Sequence, residues 1–182
     1  HLAELAKHNA VRVWLSITTL DQSLARHMEP RTSTPAARLR AIRELTAAGI
    51  PAGVMIAPVI PGVNDSEIPA ILQAARDAGA RSAGYMLLRL PTTVQPVFRE
   101  WLRRCLPTQV EKVESRIRSL RAGRLNDSQF GRRQRGTGPL AEQISRTFAV
   151  FAQRLGFDEE SRPLNTKAFR PPTPTTGQRT LF

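Results

Sequence analysis

The residues best suited to chemistry are polar side chains that follow three short apolar runs of the sequence. Hydroxyl, carboxylate, amide and guanidinium groups are suited to holding a small polar cofactor by hydrogen bonds. Ligands of parallel α/β folds bind at the carboxyl ends of the strands, so side chains after such runs are the candidate site. They are Ser16, Thr18, Thr19, Arg26, Glu29, Arg31, Asn64, Asp65 and Arg89.

Several familiar mechanisms are excluded by what the sequence lacks. A Schiff-base enzyme needs a lysine at a strand end, and Lys7, Lys112 and Lys167 all lie elsewhere. The sequence has no Gly-x-Ser-x-Gly elbow, no Walker loop and no Gly-x-Gly-x-x-Gly after a strand. Cys105 is the only cysteine, so a disulfide and a cysteine-built metal site inside this chain are both excluded.

Four of these candidate residues, and Tyr85 as well, have a structural alternative. Ser16 can satisfy backbone groups inside the sheet, and Glu29 with Arg31 can form an exposed ion pair of little energetic value. Asp65 can be a helix N-cap. Tyr85 can point to the core or to the lumen of a barrel, and the sequence leaves that choice open.

Arg38 has an unusual position for a cation. It falls in the first turn of a predicted helix, where positive charge opposes the helix dipole. This placement favours an anionic partner, and a solvent-facing arginine is the alternative.

The elements that position these residues repeat every thirty residues. Gly49 lies twelve residues before Pro61, and Gly79 lies twelve residues before Pro91. Before each glycine an apolar helical periodicity predicts a helix, which starts at Thr34-Pro35 in the first unit and at Asp65 or Ser66 in the second. A repeated helix–glycine–strand unit is typical of a parallel α/β fold. Strands are predicted at 12–18, 53–60 and 83–90.

After Pro91 the pattern becomes helical. Helices are predicted at 94–106, 109–120 and 140–155, and the tail that follows is rich in proline. The sequence therefore predicts an α/β unit over 1–91, a helical extension over 92–160 and a Pro-rich tail over 161–182.

Seven ordered segments carry a resemblance to a known family. They are SITTLD at 16–21, MEPR at 28–31, RLRAI at 38–42, AGI at 48–50, APVIPGVND at 57–65, GYMLLRLP at 84–91 and NDSQFG at 126–131. Together they resemble the spore-photoproduct-lyase-like (DNA-repair photolyase-like) branch of the radical S-adenosylmethionine (SAM) superfamily. The resemblance covers nearly the whole chain.

The resemblance implies a fold and a chemistry. The fold is a partial (β/α)6 TIM-like barrel, of which this chain supplies the last three strands. Family members bind a 4Fe-4S cluster through a Cys-x-x-x-Cys-x-x-Cys loop near the start of the barrel, and SAM binds the cluster. An electron, from a donor such as a flavodoxin or ferredoxin, cleaves SAM to a 5′-deoxyadenosyl radical that abstracts hydrogen from the substrate.

The resemblance also implies roles for single residues, although no catalytic residue is assigned. The residues implied to border SAM are Ser16, Thr18, Glu29, Arg31, Arg38, Ala57 and Pro58. Those implied to border the substrate are Asn64, Asp65, Tyr85 and Arg89. Two features depart from the family pattern: this chain lacks the cysteine loop, and Gly53 only loosely meets the glycine-rich pattern near the fifth strand. Alone, the chain is therefore expected to be inactive, with its cluster ligands upstream.

Charge bears on the partners of the protein. The net charge is +12, with +3 on residues 1–98 and +9 on residues 99–182. An arginine-rich half can contact nucleic-acid phosphates, so a non-catalytic basic nucleic-acid-binding module is the main alternative function. A phosphate-binding barrel enzyme that uses Pro61-Gly62 is a second alternative.

The chain is also expected to be a cytoplasmic fragment of a larger protein. No run approaches the roughly 20 apolar residues that span a membrane, and no signal sequence follows His1. Half a barrel would expose an unpaired strand edge, so we expect the isolated chain to aggregate or stay partly unfolded.

Overall fold

A three-stranded parallel sheet forms the centre of the chain. The computed structural model describes residues 1–126, 134–157, 163–167 and 169. The strands β1 (Val13–Ser16), β2 (Ala52–Val59) and β3 (Ser82–Leu87) lie in the order β1-β2-β3, and both pairs are parallel. The predicted α/β class with three parallel strands is confirmed, and neighbouring consecutive strands are consistent with part of a TIM-like barrel.

Helices connect and cover the strands. The predicted helices after residue 34 are present with shifts of a few residues at their ends, whereas α1 and α2 were not predicted because six or seven residues are too few to show a periodicity. The NDSQFG segment, after its first residue, and most of the predicted tail lie outside the described residues. The helices are α1 (Leu2–Lys7), α2 (Gln22–Met28), α3 (Pro35–Ala47), α4 (Ile68–Asp77), α5 (Gln95–Cys105), α6 (Val110–Ser119) and α7 (Pro139–Arg154).

Local sequence signals set the ends of α3. The Thr34 hydroxyl accepts a hydrogen bond from the Ala37 amide at 3.2 Å, and Pro35 occupies the first helical position. Gly49 then turns the chain with a φ of 74°, a conformation that costs glycine little. The predicted start and stop of this helix are therefore confirmed.

The start of α4 differs from the prediction. Helix α4 begins at Ile68 after a single 3-10 turn over Asp65–Glu67, and no side chain caps it. The Asp65 carboxylate instead accepts a hydrogen bond from the Gly62 amide at 2.7 Å. The N-cap prediction for Asp65 or Ser66 is wrong, because the carboxylate closes the loop before the helix.

The main core lies between one face of the sheet and its helices. Val54 and Ile56 of β2 are fully buried against Ile42 of α3 and Ile71 and Leu72 of α4. Helix α7 packs beside α4 in the same layer. Full burial of such side chains stabilises the fold by about 1.5–3 kcal/mol each.

A second core covers the carboxyl ends of the strands. Ile60 and Leu90, which follow β2 and β3, pack with Leu102 of α5 and with Val113 and Ile117 of α6. The predicted helical extension therefore lies over the sheet edge where the candidate site residues are found.

Part of the C-terminal segment contacts the start of the chain. The Asn165 amide donates to the Asn9 carbonyl at 2.9 Å, and its side chain donates to the His8 carbonyl at 3.2 Å. In the described part of the chain, no helix is both long enough and apolar enough to cross a membrane.

Candidate functional site

The strand register separates the two faces of the sheet. Ser16 is the partner of Met55, and Met55 is the partner of Gly84, so these residues share one face. Ile56 and Tyr85 are partners on the opposite face, which packs on the helices. The face that carries Ser16 is the one that a barrel would turn to its lumen.

Large side chains lie flat across two glycines on this face of the sheet. The Trp14 side chain is 39% exposed and lies across Gly53, where an added Cβ would come within 3.0 Å of Trp14 Cε3. Met55 lies in the same way across Gly84, where an added Cβ would be 3.0 Å from the methyl carbon of Met55. Both glycines are therefore needed for the neighbouring large side chains to lie flat. The sequence analysis did not predict this role for them.

Ser16 joins the ends of β1 and β2. Its hydroxyl donates to the Ala57 carbonyl at 2.8 Å, and its own carbonyl accepts from Arg38 Nη1 at 2.7 Å. The structural alternative for Ser16, bonding to backbone in the sheet, is thus observed. The residue remains exposed, so its hydroxyl oxygen can still accept a hydrogen bond from a ligand.

Arg38 has its anionic partner inside the protein. Its Nη2 lies 3.1 Å from Glu29 Oε2, and its Nε donates to the Ser33 carbonyl at 3.1 Å. The Thr18 hydroxyl donates to the same Glu29 oxygen at 3.0 Å. The structural alternative in which Glu29 pairs with Arg31 is therefore not observed, and Arg31 is exposed.

The space inside this network is small. The cavity lined by Thr18, Glu29, Ser33 and Arg38 has a volume of about 10 Å³, close to that of a single water. A cofactor therefore does not fit inside the network.

Asn64 is the buried centre of the strand ends. Its Nδ2 donates to the Thr18 carbonyl at 2.8 Å and to the Pro58 carbonyl at 3.0 Å, and its Oδ1 accepts from the Ile60 amide at 2.6 Å. The Ala57–Pro58 peptide bond beside it is cis. All of these contacts are internal, so the position of Asn64 gives no support to the predicted substrate contact.

The loop after β2 is covered by α6. Arg116 lies over Gly62, whose added Cβ would be 3.1 Å from Nη1, and its Nη1 lies 3.8 Å from Asp65 Oδ2. Since Asp65 already binds the Gly62 amide, that amide is not free for a phosphate. The geometry therefore argues against a phosphate loop at Pro61-Gly62.

Glu67 is a residue of the site that sequence reasoning missed. Its Oε1 accepts from the Thr19 hydroxyl at 2.6 Å, and its Oε2 accepts from the Leu20 amide at 2.7 Å. This carboxylate ties the end of β1 to the start of α4. Only its place in the loop after the second strand could have pointed to it.

The remaining predicted residues lie on or after β3. Tyr85 is 7% exposed and packs on Phe148 of α7 with ring centroids 4.8 Å apart. It faces the helix layer, so its placement gives no support to a substrate contact. Arg89 follows the carboxyl end of β3 and is half-buried. The buried Arg121 nearby, absent from the prediction, donates to the Leu88 carbonyl at 2.6 Å.

Metal ligands are not part of this arrangement. The residues that the structure describes contain no group of three or more His, Cys, Asp or Glu side chains able to hold a metal ion. Cys105, at the end of α5, is a free thiol. The described residues therefore do not fit an iron–sulfur cluster.

Comparison with known proteins finds a family match over the first part of the chain. Residues 1–75, which include Ser16, Arg38 and Asn64, match the sequence model of the Radical SAM superfamily. Uncharacterized proteins from Mycobacterium bovis and from two strains of Mycobacterium tuberculosis are each 33% identical to the chain over 184 residues. The alignments cover 100% of this chain and 49% of each relative, so the chain spans about half of their length. No solved structure matches significantly.

Proposed function

We propose that this chain is part of a radical SAM enzyme and that the carboxyl ends of β1 and β2 form one wall of its SAM site. The observation that carries the proposal is the superfamily match over residues 1–75, which contain the whole Ser16–Arg38–Glu29 network. When bound to a reduced 4Fe-4S cluster, SAM supplies a 5′-deoxyadenosyl radical, and the protein contributes binding and orientation.

The chemistry of the wall suits a small polar cofactor. Ser16 would offer its hydroxyl oxygen to the ribose or to the methionine end of SAM, since the proton is engaged by the Ala57 carbonyl. Ala57 and Pro58 would give apolar contact to the adenine. Arg38 would act through Ser16, because its guanidinium already binds the Ser16 carbonyl and Glu29.

The cluster would be held by residues outside the described part of the chain. Cys105 is the single cysteine, and it lies at the end of α5, beyond the residues that match the superfamily. No step of the reaction is therefore assigned to a residue of this chain.

The test is SAM affinity, measured by equilibrium dialysis on the protein that contains this chain. Removing one hydrogen bond to a ligand costs about 1 kcal/mol, so Ser16→Ala is expected to weaken binding about fivefold. Arg38→Ala releases the Ser16 carbonyl and leaves Glu29 unpaired, so the loss should be larger.

Two control variants match these changes. Ser23→Ala removes an exposed hydroxyl on α2, and Arg40→Ala removes an exposed arginine on the same helix as Arg38. Both should leave SAM affinity unchanged. If Ser16→Ala and Arg38→Ala also leave it unchanged, the strand ends are not the SAM wall.

The finer part of the proposal is a lyase or repair-like reaction on nucleic acid. It is supported by the seven segments that resemble the spore-photoproduct-lyase-like branch and by the +9 charge of residues 99–182. Exposed Arg104, Lys112 and Arg124 lie on α5, on α6 and just after α6, the helices that cover the strand ends. Cytoplasmic location and a flavodoxin or ferredoxin as electron donor belong to the same proposal.

A non-catalytic nucleic-acid-binding module is the second candidate function, favoured by the same charge. Both readings predict that binding to a labelled single-stranded DNA weakens steeply between 50 and 200 mM salt, by about tenfold or more if several phosphates are contacted. They differ over SAM: under the module reading, the Ser16→Ala protein binds SAM no differently from the parent.

A further inference from the structure

A groove runs between β3 and α7, on the face of the sheet opposite to Ser16. Two adjoining cavities form it, with volumes of about 470 Å³ and about 290 Å³. Both are lined by Tyr85, Arg135 and Ser145, so they are two halves of one site. The combined space suits a small molecule rather than a single ion.

The larger half contains hydrogen-bond donors. It is lined by Thr137, Gly138 and Ala141 at the start of α7, a helix of 16 residues. Gly138 is the N-cap and has no side chain to cap the helix, and Pro139 at the first helical position has no amide, so the first amides of the helix are those of Leu140 and Ala141. These amides point along the helix axis and attract negative charge, as any uncapped helix start does.

The smaller half has both apolar and polar walls. Its apolar residues include Ala83 of β3, Phe148 and Ala152 of α7, and Phe157, and Gln153 adds an amide to the shared Arg135 and Ser145. An aromatic ring would pack on the apolar residues and bury apolar surface there.

Tyr85 lies where the two halves meet. Its side chain is 7% exposed, and its hydroxyl has no hydrogen-bond partner. A buried hydroxyl without a partner is unfavourable, and an incoming acceptor atom would relieve it. Arg135 is exposed, lies 5.0 Å from the Tyr85 ring centroid, and forms no ion pair with another described residue.

We propose that this groove binds a small organic oxyanion, a carboxylate or a phosphate ester, that carries an aromatic ring. The oxyanion takes the donors of Arg135, the Tyr85 hydroxyl and the start of α7, and the ring packs on Phe148 in the smaller half. The Glu142 carboxylate lines the larger half and repels the negative charge of the ligand, so a ligand of low negative charge is favoured. The site is separate from the proposed SAM wall, so it does not depend on that proposal.

The test uses the full-length protein that contains this chain and measures phenyl phosphate binding by equilibrium dialysis. Benzoate, inorganic phosphate and uncharged benzyl alcohol are the comparison probes. Phenyl phosphate and benzoate are expected to bind, each at least about tenfold more tightly than benzyl alcohol, because a hydrogen bond to a charged group contributes that much. Inorganic phosphate binding as tightly as phenyl phosphate would overturn the role of the smaller half.

Variants assign the binding to the groove. Arg135→Ala should weaken phenyl phosphate binding about tenfold, since it removes the charged donor. Arg146→Ala is the matched control, because Arg146 is an exposed arginine of α7 that lines a different surface. It should change the affinity by less than about twofold.

Two conservative variants keep the test sharp if Arg135→Ala fails to fold. Tyr85→Phe should weaken binding about fivefold without loss of stability, because it removes one donor and one unsatisfied group. Glu142→Gln should tighten binding. Unchanged affinity in both variants would overturn the proposal. So would the absence of any binding of phenyl phosphate and benzoate at concentrations up to about 10 mM, which is far above the Kd of a specific site.

Discussion

At the scale of single residues, Asn64 holds the candidate site together. It is fully buried, and its amide bonds to Thr18 after β1 and to Pro58 and Ile60 at the end of β2. A hydrophobic side chain of the same size could fill the space but could not satisfy these three backbone groups. Asn64 therefore fixes the spacing between the two strand ends.

Replacing Asn64 should be costly. Asn64→Ala leaves several buried backbone groups without a partner, and the expected loss in the free energy of unfolding is about 3 kcal/mol. Urea denaturation of both proteins measures it. Asn165→Ala is the control, since Asn165 is exposed and should cost less than about 1 kcal/mol. A loss for Asn64→Ala no larger than the control's would show that the bridge is dispensable.

Residue-scale prediction from sequence succeeded where the partner is local. Thr34 caps the helix that starts at the next residue, and a short-range pattern reveals it. Asn64 and Glu67 each also bind a group just after β1 that lies more than forty residues away in the sequence. Such pairs follow from the register of the sheet, which the sequence alone does not contain. For the same reason the orientation of Tyr85 stayed open.

At the scale of elements, the two glycines of the repeat differ in what surrounds them. Gly49 and Gly79 end α3 and α4 with φ values of 74° and 97°. Nothing lies within 4 Å of a Cβ added at Gly49, whereas a Cβ at Gly79 would lie 2.6 Å from the Thr46 hydroxyl oxygen. The same local signal thus serves one open turn and one packed contact between helices.

This difference predicts unequal effects of alanine. Gly49→Ala should lower the free energy of unfolding by about 1–2 kcal/mol, because alanine is strained in the left-handed backbone conformation. Gly79→Ala adds a steric clash with Thr46 and should cost about 1–3 kcal/mol more. Thermal unfolding followed by calorimetry measures the loss of stability in each variant.

A double variant separates backbone strain from the clash. Thr46→Ala removes the hydroxyl oxygen at 2.6 Å and the Cγ2 atom at 3.4 Å from the new methyl group and keeps the Cβ atom at 3.2 Å. In that background the costs of the two glycine substitutions should differ by less than they do with Thr46 present. If Gly79→Ala costs no more stability than Gly49→Ala while Thr46 is present, Thr46 does not pack closely against Gly79.

Helices α2 and α5 are joined by one aromatic side chain. Trp101 Nε1 donates to the His27 carbonyl at 2.9 Å, and its ring lies 5.7 Å from Phe98. Trp101→Phe keeps much of the ring but removes the donor, so α2 should exchange its amide protons faster while α3 does not. Hydrogen-exchange mass spectrometry measures both helices, and equal protection of α2 before and after would contradict the link.

Element prediction was good for strands and for helices with a clear periodicity. The runs of β-branched and apolar residues around Val54 and Ile56 predict a buried strand, and that strand forms. The short helices α1 and α2 lacked a usable pattern. The contact between the helical extension and the strand ends was also not predictable, since it depends on side chains such as Trp101 and Arg116 that look like ordinary surface residues in sequence.

At the scale of the whole molecule, the sheet is open on the side of β1. Among the residues that the structure describes, strand β1 pairs with β2 alone, and Trp14 on its lumen face is exposed. Leu2 and Leu5 of α1 are exposed nearby in the sequence. A free strand edge next to apolar surface is a site for pairing with another chain.

The isolated 182-residue chain is therefore expected to self-associate as its concentration rises. Sedimentation velocity measures this, and Trp14→Gln should reduce it. Val97→Gln is the control, because Val97 is an exposed apolar residue on α5, away from β1. A cooperatively melting monomer at every concentration would contradict the expectation.

The central claim concerns the larger protein, since the chain spans about half the length of its curated relatives. The most direct measurement is anaerobic reconstitution of the full-length protein with iron and sulfide, followed by reduction in the presence of SAM. The account predicts release of 5′-deoxyadenosine, reduced by Ser16→Ala and by Arg38→Ala but not by Arg40→Ala. A full-length protein that takes up no 4Fe-4S cluster, or that releases no 5′-deoxyadenosine with the cluster in place, would contradict it.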